Sequence, residues 1–252
     1  MKIIITTFLL ILAIAGNAQI ILTPGKNSFD SKWIKNQTYQ MKWFTLKDTS
    51  KFEIGEVSTQ IVSDKKYLTI ITQVNMKSSK SPWVDTTIAD IKTLKPIRHS
   101  SYNMQRNIEL NFGKIVTGIY NDKLKQQLTI ISDTTREDYF DSNLYPALIG
   151  WLPLKDGYTQ DISIYDYNPS AKIGVIKAYV NDVKSGTYIS TSSGTKNVWI
   201  VTVSDEISTG KNDFMIYYID KADRRLWKQE INTGGRKMIM LLIELTYSLV
   251  IS

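Results

Sequence analysis

"YFDSNLYPALIGWLPLKDGY", residues 139–158, interrupts a chain that otherwise reads as one strand after another. Leu144, Leu148, Trp151 and Leu152 fall at helical spacing, and Pro146 and Pro153 bracket them. Proline is tolerated in the first turn of a helix, where its missing N–H would be unpaired anyway, and Pro153 biases Leu152 out of helical conformation. The stretch predicts one short helix of about two to three turns, with Asp141, Ser142 or Asn143 as its N-cap. Leu144, Tyr145, Leu148, Ile149, Trp151 and Leu152 cover most of its circumference. A helix apolar all round must be buried on more than one side. The economical solution lays it across the concave face of a curved sheet, as plug or lid.

The flanking segments supply that sheet. Tyr39, Met41 and Trp43 alternate with Gln40 and Lys42, and Leu68, Ile70, Thr72, Val74 and Met76 line one face of another strand. Ile108, Leu110 and Phe112 alternate with Asn107, Glu109 and Asn111, the pattern of a half-buried antiparallel strand. Turn signals such as "KDTSK", "SSKSP", "FGK" and "YNDK" recur at about 10 to 15 residues, which reads as a meandering antiparallel sheet. "NVWIVTV" (197–203) and "DFMIYYI" (213–219) are apolar on both faces and predict strands covered twice. "IDKADRRLW" reads as a charged hairpin tip with Asp220 and Asp223 as turn formers. No internal repeat is visible. The fold class is therefore mainly β: a strongly curved antiparallel sheet with one or two short helices across its concave face.

The ends bound the compartment. "MKIIITTFLLILAIAGNAQ" has a positive charge at Lys2, an apolar core from Ile3 to Ala15, and Gly16 and Ala18 at −3 and −1 of a cleavage after Ala18. That is the pattern of an export signal, and the run is shorter than the about 20 apolar residues of a membrane span. The expected organisation is a signal peptide over 1–18, an irregular segment over 19–36, one β-rich domain over 37–240 and an apolar tail over 241–252. The expected location is periplasmic or secreted, with no transmembrane segment in the mature chain. The formal net charge is +7, and removing Lys2 leaves +6. Its lysines are scattered singly or in pairs without interleaved aromatics, which argues against a nucleic-acid partner.

"TLKPIRHSSYN", "RNIELNFGKIVTGIY", "DSNLYPALIGWLPLKDGY" and "YYIDKADRRLWKQEI…GGRKM" follow, in that order, the pattern of an uncharacterised secreted family, domain of unknown function 3108. The chain resembles that family over about residues 37 to 240, and the family looks related to periplasmic lipoprotein carriers and receptors of the LolA/LolB type. The resemblance implies a curved half-barrel closed on its concave side by short helical elements over an apolar cavity, which in carrier members holds acyl chains.

Chemistry-bearing residues are sparse. There is one histidine, His99, and no cysteine, which removes zinc sites built from His and Cys and all thiol catalysis. No G-x-S-x-G elbow accompanies His99; "KSGT" and "SSGT" read as hairpin loops. His99 itself reads as a strand histidine bonded to a neighbour rather than a catalytic base. Glu137, Asp138 and Asp141 in "TREDYFDSN" fit a glycosidase acid/base pair, or Asp138, Asp141 and Asn143 a calcium site. The simpler account is negative charge at the start of a helix, with Asp141 or Ser142 as cap.

Six tryptophans and 14 tyrosines are the least ordinary feature. Leu144, Leu148, Trp151 and Leu152, with Trp199, Tyr217 and Tyr218 on the later strands, are the residues expected to wall an apolar cavity; core packing explains the same residues. Trp33 and Trp83, the alternative surface for sugar stacking, show no repeated spacing. The expected function is non-enzymatic, without cofactor or metal: binding of a lipid, another apolar small molecule or a lipidated protein partner in the cell envelope. An envelope interaction module with a filled core is the alternative, and a carboxylate-based glycan hydrolase the third reading.

Overall fold

The computed structural model describes residues 20–25, 29–207, 210 and 213–244. The expected signal peptide and residues 245–252 of the expected tail lie outside the described residues. Among the described residues fifteen strands form one sheet: β1 (Gln37–Lys47), β2 (Ser50–Ser63), β3 (Tyr67–Met76), β4 (Trp83–Asp90), β5 (Pro96–Tyr102), β6 (Arg106–Asn111), β7 (Ile115–Asp122) and β8 (Gln127–Thr134) precede the helix with the short β9 (Phe140–Asp141). After the helix come β10 (Gln160–Tyr167), β11 (Ile173–Ser190), β12 (Gly194–Asp205), β13 (Phe214–Asp220), β14 (Leu226–Thr233) and β15 (Arg236–Leu242). The spatial order is 8-7-6-5-4-3-2-1-15-14-13-12-11-10-9, so the sheet is curved but not closed into a barrel. Each pairing is antiparallel except β9 with β10. Two meandering arms meet where β1 pairs with β15, Met41 opposite Leu242. The expected tail thus begins inside the sheet, because Leu241 pairs on both sides, with β1 and with β14, and Leu242 pairs with β1. Among the described residues no helix is long and apolar enough to cross a membrane.

The predicted helix is there, as α1 (Tyr145–Trp151), with Pro146 in its first turn and extended Leu152 before Pro153. Its N-cap is Leu144, without a side-chain bond. The expected caps do not act, because Asp141 turns instead toward Thr87 and His99 and Ser142 toward Asp166. The helix packs against Ile61, Leu68, Ile70 and Ala89 of one arm and Ile162, Ile164, Ala178, Val201 and Tyr217 of the other. Both arms reach it because the sheet wraps around it. Tyr145 adds a polar tether by donating its hydroxyl to Asp205. Leu22, before β1, covers the end of this core through a bridge to Ile162.

The wrap goes further than a half-barrel. Along β10, Ile162 through Tyr165 are all buried. Ile162 and Ile164 face the helix, whereas Tyr165 packs on the opposite side against Ile108, Leu110, Val116, Ile131 and Tyr139. The arm ending in β8 therefore laps over the outside of β10, and the sheet closes like a scroll. This corrects the expectation for 197–203 and 213–219. In β12 and β13 Val201, Val203, Tyr217 and Ile219 are buried on one face, while on the other only the paired Val198 and Asp220 are buried and Ile200, Thr202, Ile216 and Tyr218 are half-buried, since overlap, not composition, decides which strand is covered twice along its length.

The structure also shows a repeat that is not visible in the letters. Asp90, Asp122 and Asp220 each open a hairpin turn whose fifth residue, Leu94, Gln126 or Arg224, has a left-handed φ of 58°, 53° or 66°. In each, the aspartate Oδ1 accepts from the backbone N–H two residues on: Lys92, Leu124 and Ala222. The carboxylate organises the turn, and the left-handed residue brings the chain back into register at a cost of about 1–2 kcal/mol without glycine. "SSGT" closes the β11–β12 hairpin, whereas "KSGT" runs inside β11.

Two outcomes follow for equilibrium urea unfolding. Leu148 is fully buried among both arms, so Leu148→Ala is expected to cost about 2–5 kcal/mol. Gln126→Gly relieves the left-handed strain and is expected to gain about 0.5–1 kcal/mol after the entropy cost of glycine. A loss at position 126 would show that the turn is held otherwise.

Candidate functional site

Where the scroll overlaps, β4 and β5 face β9 and the end of β10. On β4 the period-two pattern places Trp83, Asp85 and Thr87 in phase with buried Ala89, so polar groups point inward. Register pairs Thr87 with His99 and Asp85 with Ser101. The inward polar row of one arm meets Asp141 of β9, whose carboxylate accepts from the Thr87 hydroxyl and lies 2.9 Å from His99 Nδ1. Asn143 Nδ2 donates to Thr87 Oγ1 at 3.1 Å. Thr87 and Asp141 are 0 and 1% exposed and His99 is 8% exposed. These contacts join the two layers directly and cross 42 to 56 residues of sequence.

Next to this pair opens a cavity of about 640 Å³, lined from the outer layer by Trp83, Asp85, Ser101, Arg106 and Tyr120 and from the inner by Ser142, Asp166 and Tyr167. The Asp85 carboxylate accepts from Trp83 Nε1 at 2.8 Å, and Asp166 accepts from Ser142 Oγ at 2.8 Å. Burial raises the carboxyls of both Asp85 and Asp166 above the usual range, and for Asp166 the nearby Asp141 adds to the effect. The Arg106 guanidinium sits 5.9 Å over the Trp83 ring, and its buried Nη1 has no acceptor. Tyr120 and Tyr167 bring aromatic rings together from the two layers, centroids 5.8 Å apart. The result is a polar cleft with aromatic walls, both signs of charge and incompletely satisfied groups.

Burial pulls the His99 imidazole down, but the facing Asp141 charge, its hydrogen bond and the charges of Asp85 and Asp166 outweigh it and hold it above its ordinary value. Among the described residues no serine hydroxyl bonds its other ring nitrogen, so the pair reads as a clasp between layers. Because the folded imidazole is held above 6.5, its stabilisation is complete below that pH and fades as pH rises through the raised value. Asp85 and Asp166, raised from 3.8, have the same sign in a lower window, fading as pH climbs above about 4. The melting temperature of the protein is expected to fall between pH 6 and 8.5, and to fall less in His99→Gln. Equal falls in the two proteins would show that this clasp does not titrate there.

The residues expected to wall an apolar cavity lie elsewhere. Leu144, Leu148, Trp151, Leu152 and Tyr217 are brought together, but as core, none more than 3% exposed. Trp199 is partly buried against the same core, with Lys221 Nζ 3.9 Å from its ring. Tyr218 alternates with Tyr217 onto the opposite face, donating to Glu230 at 2.9 Å. The acidic group before the helix also divides. Asp138 is exposed and pairs with Lys95 at 3.6 Å, while Asp141 is buried in the seam, so the two do not form one calcium or acid/base site. Asp85, Thr87, Arg106 and Asp166 were missed by the sequence reading. The available signal was the phase of "WVDTTIAD", which sets Asp85 and Thr87 on the face of Ala89.

Comparison with known proteins agrees with this architecture. The chain is similar to the crystal structure of a β-barrel-like protein of domain of unknown function DUF1849 from Brucella abortus, with a TM-score of 0.51 and 12% identity over 89% of this chain and 98% of the other. At that identity the likeness shows the fold alone. No curated protein matches the chain. The family described as "Protein of unknown function (DUF3108)" matches residues 38–247. With its match running from β1 through β15, this chain belongs to the DUF3108 family.

Proposed function

We propose that this is an exported, non-enzymatic binding protein of the cell envelope, and that it takes up a small polar ligand in the seam cavity. The leader-like "MKIIITTFLLILAIAGNAQ" supports export. The observation that carries the ligand reading is Arg106. Its Nη1 is shut from water without an acceptor, beside carboxyls of Asp85 and Asp166 that burial holds above their usual range. A buried donor left unpaired costs about 1–3 kcal/mol, and a bound molecule bearing both donors and acceptors relieves that cost on both sides. The tight packing of Leu148, Trp151 and Tyr217 favours a polar guest in the seam over an apolar one at the helix.

A second reading, an envelope interaction module, has an observation of its own. Ile115, Leu128 and Ile130, on β7 and the edge strand β8, are 50, 61 and 73% exposed. Free edges carrying apolar side chains are sites of strand addition.

Native mass spectrometry of the protein purified from an envelope fraction tests the first reading. A bound small polar mass is expected, and Arg106→Ala is expected to weaken it about tenfold or more, about 1.4 kcal/mol. Bare protein, together with no thermal shift across a panel of sugars, amino acids and organic acids, would overturn it. Partner capture abolished by Ile130→Lys in the same preparations would favour the second.

A further inference from the structure

The hairpin between β11 and β12 reads Ser190-Thr191-Ser192-Ser193-Gly194, with Gly194 at a left-handed φ of 70°. Its donors converge on one acceptor, the carboxylate of Glu244, two residues beyond β15. Ser190 Oγ donates to Oε2 at 2.5 Å, and the Ser192 N–H donates to the same oxygen at 3.2 Å. Thr191 donates its N–H and hydroxyl to Oε1 at 3.1 and 3.2 Å. The Ser192 hydroxyl also donates to Oε2. Ser190 is 4% exposed, and its Oγ accepts in turn from the Ser193 N–H at 2.8 Å, which fixes the loop. Burial pushes the Glu244 carboxyl up, but the Ser190 and Ser192 hydroxyls and the backbone N–H groups prevail and hold it down to about 2.

Two features exceed what a carboxylate needs. A carboxylate presents two oxygens with about four lone-pair sites, yet five N–H and O–H groups point at it. Glu244 also makes no ion pair among the described residues, although cations stand close to the hairpin. A cavity of about 630 Å³ adjoins it, lined by Tyr39, Ser192, Ser193, Arg225 and Glu244. The Arg225 guanidinium and Lys196 Nζ lie 5.3 and 5.7 Å from the ring system of Trp227. Successive backbone N–H groups in a turn form a nest for anions, and a phosphate group offers three strong acceptor oxygens and a second negative charge.

We propose that the Ser190–Ser193 turn is an oxyanion-binding nest that Glu244 fills from within, and that a phosphate group competes for it, displacing Glu244 and releasing Ile243 and Glu244 from the sheet. The last backbone bond before Glu244, from the Ile243 N–H to Gln40 O at 2.8 Å, marks where that release begins. The nest lies outside the seam cavity, and its ligand need not be the one bound there.

Titration calorimetry of the mature chain with inorganic phosphate tests this, against chloride at matched ionic strength. Wild type competes with its own glutamate, so Glu244→Ala is expected to bind phosphate at least tenfold more tightly, and Glu244→Ala with Ser192→Ala to lose that gain. A folded Glu244→Ala that binds phosphate no better than wild type overturns the proposal. Should that variant not fold, hydrogen exchange on wild type decides. Phosphate is expected to speed exchange at residues 243–244, and unchanged exchange overturns the proposal. Vesicles of phosphatidylcholine with and without phosphatidic acid separate the sources. Binding that needs phosphatidic acid and Ser192 assigns a lipid headgroup, and binding to phosphate in solution alone assigns the free anion.

Discussion

A helix of only two turns, apolar around its whole circumference, can be stable in water only if something encloses it. Seven residues are too few to hold a helix by their own backbone bonds, so the stability of α1 is borrowed from its packing. One flat sheet covers one side of a helix. Covering the rest takes a sheet long enough and twisted enough to come around, and that requirement organises the molecule. The arms built by β2–β8 and by β10–β15 meet α1 from two sides. The strand twist that curls them also prevents them from meeting edge to edge, so one passes over the other.

Overlap has a chemical consequence. In the middle of the wrap the concave face is apolar, because it sees the helix. Toward the end of the first arm the same face sees the back of β10, where strand ends, turns and the polar start of the helix crowd together. Groups that would be solvated on an open sheet are trapped there: Thr87, His99 and Asp141 bond to one another, while Asp85, Arg106 and Asp166 are left around a cleft. Buried charges are stabilising only when well paired. The seam pairs some of its charges fully and others incompletely, and the second group is where a ligand has something to gain.

The described segments just before β1 and just after β15 are held by related means. Leu22 bridges to β10 at one end of the core, and Glu244, just beyond the interior strand β15, is gripped by the β11–β12 hairpin. The central pairing of β1 with β15 brings the first and last strands side by side, so Glu244 follows a strand in the middle of the sheet rather than at a free edge.

Periodicity and punctuation are local properties, and the sequence by itself determined what they control: a β meander, the turn aspartates, and a proline-bounded helix that had to be enclosed. Leu148 and Trp151 were recognisable as buried because no helical face was left for water. Their role as packed core rather than cavity wall was not, since alternation and apolarity are the same for a void and a filled interior. Tyr217 and Tyr218 were separable in principle by phase, and the structure assigns them to opposite faces. Only the tertiary structure decided where the scroll overlaps. Asp85 and Thr87 share the face of Ala89, and Asp166 that of Ile164, but no strand states what meets that face, and Asp141 looks like a helix cap; they become a site because a second layer of the same sheet, about 50 residues away in sequence, closes over them. A burial created by overlap depends on the summed twist of many strands, and no window of sequence contains it.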